Sequence, residues 1–389
     1  MNQDLTYWVT LASMPQMWTR RKNEIYINCF KHEPKITIKQ LFEDQSLWQE
    51  LGLTPEESGL FLQAKTELAN NSFLVEDLLS QGYNIIPIHS EEYPTTLKQN
   101  LKSGAPTVIY TKGNIELLKK TSVAIVGSRN ANTDSLVFTK NIAKKEVSEG
   151  KVIVSGFAKG VDRQALDSAL ENDGESIIVL PQGITTFSSG YKQYYKHITR
   201  GKVLVLSTFH PKAPWSVEFA MARNSIIYGL ANTIYAAQSD DKGGTWAGVI
   251  DGLRKGREIF VRYPNKDEKN ANLLLIQKGA KAVDMTGETI SLTAEELMTD
   301  EEKAKVQLDN SIKNMLANGV KTSKEILSVL QLNWSDSKMK NHLRKMLDVE
   351  EIKIKNKVFF KMKGIMQQTS FAFEDEVPYN AGKSNQKAT

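Results

Sequence analysis

Apolar positions fall along the chain in three different rhythms. From residue 1 to about 80 they recur at helical spacing: Ile38, Leu41, Phe42, Leu47 and Leu51, then Leu60, Phe61, Ala64 and Leu68. Recurrence every three to four residues predicts helices with one buried stripe. Pro34, Gly52 and Pro55 interrupt the pattern, so several short helices are expected rather than a long one. Thr54 is placed to cap one of them. Pro55 then takes the first helical position, and Glu56 and Glu57 fall in the first turn, where carboxylates favour the helix dipole. Such a module could bind nucleic acid or a partner, or simply support the fold.

From about 80 to 285 short apolar runs alternate with helical stretches. The runs lie at 84–87, 107–110, 122–126, 151–154, 176–180, 202–206, 233–236 and 258–261. Several ("VAIV", "VIV", "IIVL") are β-branched and apolar at every position, as strands covered on both faces must be. The helical stretches fall at 134–148, 162–172, 216–229 and 245–255. Strand–helix alternation of this kind predicts an α/β fold, an extended Rossmann-like, doubly wound parallel sheet. Ligands of such sheets bind beyond the carboxyl ends of the strands, so the loops after these runs are where chemistry is sought.

The third rhythm runs from about 303 to 364. Helical stretches at 309–318, 322–332 and 335–347 precede two β-like runs, "EEIKIKN" and "KVFFKMK". Three helices and a hairpin is the winged-helix order. The segment holds 14 lysines and arginines against 6 acidic residues. Lys338, Lys340, Arg344 and Lys345 on the third helix are candidate DNA contacts, with further lysines on the hairpin; a small interaction domain with a solvated basic face reads equally well. The expected organisation is therefore a helical N-terminal domain (1–80, of helix-hairpin-helix or SAM-like type), a Rossmann-like core (81–290), a linker (291–303), a winged-helix domain (304–364) and a disordered tail (365–389).

Composition narrows the function classes. Of 389 residues, 40% are hydrophobic and 24% charged, with mean hydropathy −0.37, which is ordinary globular usage. Lys+Arg 50 against Asp+Glu 45 leaves +5, too little to name a partner without knowing where the charges sit. A lone Cys29 excludes a disulfide framework and multi-cysteine metal sites. No apolar run approaches a bilayer span, and the polar Met1-Asn2-Gln3-Asp4 start lacks a signal-peptide layout, so a cytoplasmic protein without membrane contact is expected. The five histidines show no metal-ligand spacing, and neither a nucleophile elbow nor a Walker loop occurs. No metal, no cofactor and no catalytic residue is assigned.

The carboxyl-end loops carry a different chemistry. Gly127-Ser128-Arg129-Asn130 follows "SVAIV" and leads into a helix; glycine permits close approach, and helix-start N–H groups and an arginine suit an anion. Ser155-Gly156-Phe157-Ala158-Lys159-Gly160 follows "KVIV". Phe157 there is either a core plug or a base-stacking surface, and Asp162 fits a helix cap better than an acid–base role. Pro181-Gln182-Gly183 makes another glycine turn. Arg223-Asn224 lies in a helix and could organise loops or reach a phosphate. Gly243-Gly244-Thr245 opens a further helix. One such loop is weak; the set points to a phosphate-bearing ligand.

Taken in order, "VAIVGSRNANTD", "VIVSGFAKGVDRQALDSAL", "IIVLPQGI", "ARNSIIYGLANTIYAA" and "GGTWAGVIDGLRKGREIFV" resemble the DprA/Smf family of DNA-processing proteins, and "IIPIHSEEYPTTLKQNLKSGAPTVIYTKGNIELL" resembles its lead-in. The resemblance implies a non-catalytic protein of natural transformation or recombination. Such a protein binds and protects single-stranded DNA, forms a homodimer and loads the RecA recombinase. Carried over by position, it implies strand contacts from Gly127, Ser128 and Arg129, from Ser155, Gly156, Lys159 and Gly160, and from Arg223 and Asn224. Departures exist. Ser225 stands where an arginine is common, Leu166 where a histidine is, and "KGGTWAG" replaces the usual Ser-Gly-Ser segment. Gly-Gly-Thr resembles nucleotide hydrolases of the same superfamily. A nucleotide-sensing or nucleotide-hydrolysing enzyme, with defence against foreign DNA as one setting, is therefore the alternative, and a winged-helix regulator on a scaffold is a third reading.

Overall fold

The computed structural model describes residues 2–364; the tail expected to be disordered, 365–389, lies outside them. The chain divides after Leu297 into two compact units.

The first unit is built on nine strands: β1 (Asn84–Pro87), β2 (Val108–Gly113), β3 (Ser122–Val126), β4 (Val152–Ser155), β5 (Ser176–Val179), β6 (Val203–Ser207), β7 (Thr233–Ala236), β8 (Ile259–Arg262) and β9 (Lys281–Val283). They lie in the order β1-β2-β6-β5-β4-β3-β7-β8-β9. From β6 to β9 every pair is parallel. β2 runs antiparallel to β6 and β1 antiparallel to β2, so the sheet is mixed at one edge rather than parallel throughout. Alternation within each apolar run divides the central residues between two cores. Val123, Ile125 and Ile153 pack with Phe138, Ile142, Val161 and Ala165 of the helices Thr133–Ser148 and Val161–Glu171. Ala124, Val126 and Val154 face the larger core on the other side, with Ile226 and Val249 of the helices Val217–Leu230 and Gly244–Arg254. Burial on both faces explains strands without a polar alternation.

Six helices precede the sheet, and their core (Trp8, Leu11, Phe42, Phe61, Leu78) is continuous with that of the sheet. Asn23 ties the helix Thr19–Lys31 to the strand-leading turn, its amide donating to the Ser103 and Ala105 carbonyls at 2.9 and 2.8 Å. Thr54 caps the helix Pro55–Thr66 with Pro55 at its start, and Glu57 closes a capping box. Glu57 also accepts from Arg21 Nε at 2.7 Å, and this bond holds its carboxyl below the usual glutamate range. The unfolded chain then binds more protons than the folded one in the acid window just below that range, so stability rises with pH there. We expect Glu57→Gln to flatten the acid limb of a stability–pH curve relative to the native chain; an unchanged limb would remove the pair from the account.

The second unit contains the helices Asp300–Ala317, Ser323–Val329 and Asp336–Lys345, then the antiparallel strands β10 (Val349–Ile354) and β11 (Lys357–Met362). Ile312, Leu316, Ile326, Met339, Leu343 and Phe360 form its core. Lys321, in the connection between the first two of these helices, forms an isolated antiparallel bridge with Phe360 of β11. The capping box of Thr299 and Glu302 starts the first helix at Asp300, inside the stretch read from sequence as a linker.

Candidate functional site

Reversal of strand order at β3, which pairs β4 on one side and β7 on the other, opens a crevice at the carboxyl rim of the sheet. The loops after β3, β4 and β7 meet there. Ser128 N–H donates to the Gln238 carbonyl at 2.9 Å, and Asn132 N–H to Gln238 Oε1 at 2.8 Å, so the β3 and β7 loops are fastened together. The β4 loop crosses beneath them. Gly160 sits at φ +78°, and a side chain on it would collide with the Ser128 and Arg129 carbonyls; only glycine combines that backbone with that approach.

Below the loops lies an ion pair. Arg223, on the helix Val217–Leu230, has a side chain 5% exposed, and its Nη1 stands 3.4 Å from Asp162 Oδ2. Its Nε has no hydrogen-bond partner among the described residues. Burial pushes the Asp162 carboxyl above its usual range, and the arginine opposes that rise. A Cβ on Gly156 would overlap the guanidinium, so glycine is what lets Arg223 reach across the β4 loop. The sequence reading made Asp162 a cap. Gly160 occupies the cap position instead, and Asp162 is spent on Arg223.

The predicted residues separate into wall and frame. Gly127, Ser128, Arg129, Arg223, Asn224, Gly243, Gly244 and Thr245 line one hollow of about 360 Å³. The helix Gly244–Arg254 begins there with no side-chain cap, leaving first-turn N–H groups for an anion. An adjoining hollow of about 380 Å³ shares Arg129 and Arg223 and adds Phe157, Lys159, Gln182, Phe187 and Trp215. Ser155 is frame rather than wall: it is fully buried and its hydroxyl donates to the Ile125 carbonyl at 2.7 Å. Gly156 and Gly160 likewise act through backbone packing. Phe157 is half-buried, edge-on to Phe187 at 4.7 Å, with the Arg163 guanidinium 3.8 Å above its ring, so one of its faces is already covered.

Charge is asymmetric along the rim. Arg129, Lys159 and Lys242 are exposed, and among the described residues no carboxylate lies within salt-bridge reach of them. Asp162 and Asp240 border the first hollow; the second is bordered by three cations and no carboxylate. Among the described residues no cluster of three metal-ligating side chains occurs. Sequence reasoning missed Trp215, 50% exposed at the mouth of the second hollow. It has no periodic partner, and an isolated tryptophan after Pro214 was the only signal.

In the second unit the third helix is less free than its sequence suggests. Lys340 pairs with Asp336 at 2.7 Å, Arg344 with Glu351 at 2.7 Å, and Lys338 lies 4.3 Å over the Trp334 ring. Lys345 has no ion pair among the described residues.

Comparison with known proteins agrees with the fold. A family model described as DNA recombination-mediator protein A matches residues 84–294. DNA processing protein DprA of Bacillus subtilis is 33% identical over 208 residues, covering 52% of this chain and 69% of that protein. DNA processing protein DprA of Streptococcus pneumoniae is 33% identical over 219 residues, covering 54% and 76%. The X-ray structure of DprA from Streptococcus pneumoniae superposes with a TM-score of 0.55 at 24% identity, over 73% of this chain and 94% of that one. With its Rossmann-like sheet, its glycine-built rim and a family match spanning the strands that form both, the chain belongs to the DNA recombination-mediator protein A family, the DprA/Smf proteins of DNA processing.

Proposed function

We propose that the chain binds single-stranded DNA along the rim groove, gripping successive phosphates with loop amides and with Arg129, Lys159 and Arg223, and breaks no bond. The observation that carries this reading is the second hollow: the exposed cations Arg129 and Lys159, the edge of the Asp162-paired Arg223, no carboxylate and an exposed tryptophan in one concave wall. Cations follow a phosphate backbone, and aromatic faces take bases only where those bases are unpaired. The buried carboxylate beneath the loops, Asp162, is occupied by Arg223, which speaks against acid–base work and so against nucleotide hydrolysis. Delivery of the bound strand to a RecA-type recombinase is part of the same reading, supported by the family's description as a recombination mediator, and action as a homodimer is proposed from the family resemblance alone.

The test is equilibrium binding of oligo-dT and of a matched duplex, read by anisotropy. The reading requires preference for the single strand, and Trp215→Ala should weaken oligo-dT binding by about 5- to 150-fold, the effect of one lost base stack of about 1–3 kcal/mol. Equal affinity for duplex and strand, untouched by Trp215→Ala, would refute it.

A further inference from the structure

The helix Ser188–Thr199 runs from the loop after β5 towards β6, and its sequence, SSGYKQYYKHIT followed by Arg200, contains no acidic residue. Lys192, Lys196 and Arg200 recur every four residues, so they form one stripe with about 6 Å between neighbours along the axis. All three are exposed, and among the described residues none has a carboxylate within salt-bridge distance. Tyr195, 64% exposed, stands beside the stripe. Cations in a last turn often serve the helix dipole, but Lys192 sits mid-helix, where that gain has faded.

The stripe adjoins the groove. Phe187, in the wall of the second hollow, immediately precedes the helix. Arg163, stacked on Phe157, donates from Nη1 to Gln193 Oε1 at 3.0 Å. Groove wall and outer helix face are therefore linked through packed side chains. We propose that a single strand leaving the groove continues over this helix, with Lys192, Lys196 and Arg200 contacting successive phosphates and Tyr195 offering its ring to a base. The proposal rests on the reading of the groove as a single-stranded DNA site. The occupant is chosen by charge, by the exposed ring and by continuity with that groove.

The experiment compares a short oligo-dT of about 6 nucleotides, enough for the groove, with one of about 25, on the full chain and on a Lys192→Ala, Lys196→Ala, Arg200→Ala triple variant. The long oligomer should bind the variant at least tenfold more weakly, with a log–log salt slope shallower by about 2, since each phosphate contact contributes about 0.7. The short one should bind as before. Unchanged long-oligomer affinity would overturn the proposal, as would equal losses at both lengths, which would place the cations inside the groove. A loss of melting temperature with binding intact would assign the stripe to helix stability alone and also overturn it. If the native chain binds neither oligomer, the groove reading itself has failed, a result distinct from failure of the extension.

Discussion

Replacing Arg129 with alanine is expected to weaken oligo-dT binding by about 10- to 150-fold, the effect of losing one charge-assisted contact of about 1.5–3 kcal/mol. Arg129 borders both hollows of the groove, is exposed and has no ion pair among the described residues, so its removal leaves no buried charge and stability should be kept. The salt slope should fall by about 0.7, one phosphate's share. Arg129→Lys should restore part of the affinity, since lysine keeps the charge but not the two-pronged donor geometry. Anisotropy across a salt series checks both numbers. An Arg129→Ala chain that binds as tightly as the native one, with the same slope, would remove this residue from the interface.

The opposite signature is expected at Asp162. Asp162→Ala should destabilise the first unit by about 3–5 kcal/mol, because it leaves the Arg223 guanidinium buried without a counter-charge. Removing both partners in an Asp162→Ala, Arg223→Met chain should recover much of that loss, since the cost lies in the unpaired charge rather than in the missing bond. Binding should not recover with stability, because Arg223 itself borders both hollows. Chemical denaturation of the three chains measures the coupling; simple additivity would show that the pair is not one unit. Gly156→Ala tests the same arrangement from the loop side, since its methyl group would displace the guanidinium.

How much of this was legible beforehand depends on what each element has to say locally. The strands β3 to β8 announced themselves because burial on both faces demands unbroken β-branched runs such as Val123–Val126. β9 did not: it is three residues long and begins at an exposed lysine. The helix Ser188–Thr199 was passed over because tyrosines and lysines replace an aliphatic stripe; its buried side rests on Tyr194 and Gly190. The antiparallel edge is a matter of topology, which a run of apolar residues does not encode. Within the site, glycine turns marked the loops correctly in place but not in role. Ser155 reads from sequence as a ligand contact and Asp162 as a helix cap, yet their partners are Ile125 and Arg223, contacts formed only once β3, β4 and the helix Val217–Leu230 come together. Trp215 escaped for the reverse reason: nothing near it in sequence marks a groove.

The most direct test of the central claim, that the amide-lined cationic rim holds a single strand, is amide hydrogen exchange on the full chain with and without saturating oligo-dT. The account predicts slowed exchange concentrated at residues 127–131, 156–160 and 243–247, the three loops that converge at the crevice. Protection confined to residues 336–362 of the second unit, with those three loops exchanging as in the free protein, would contradict it.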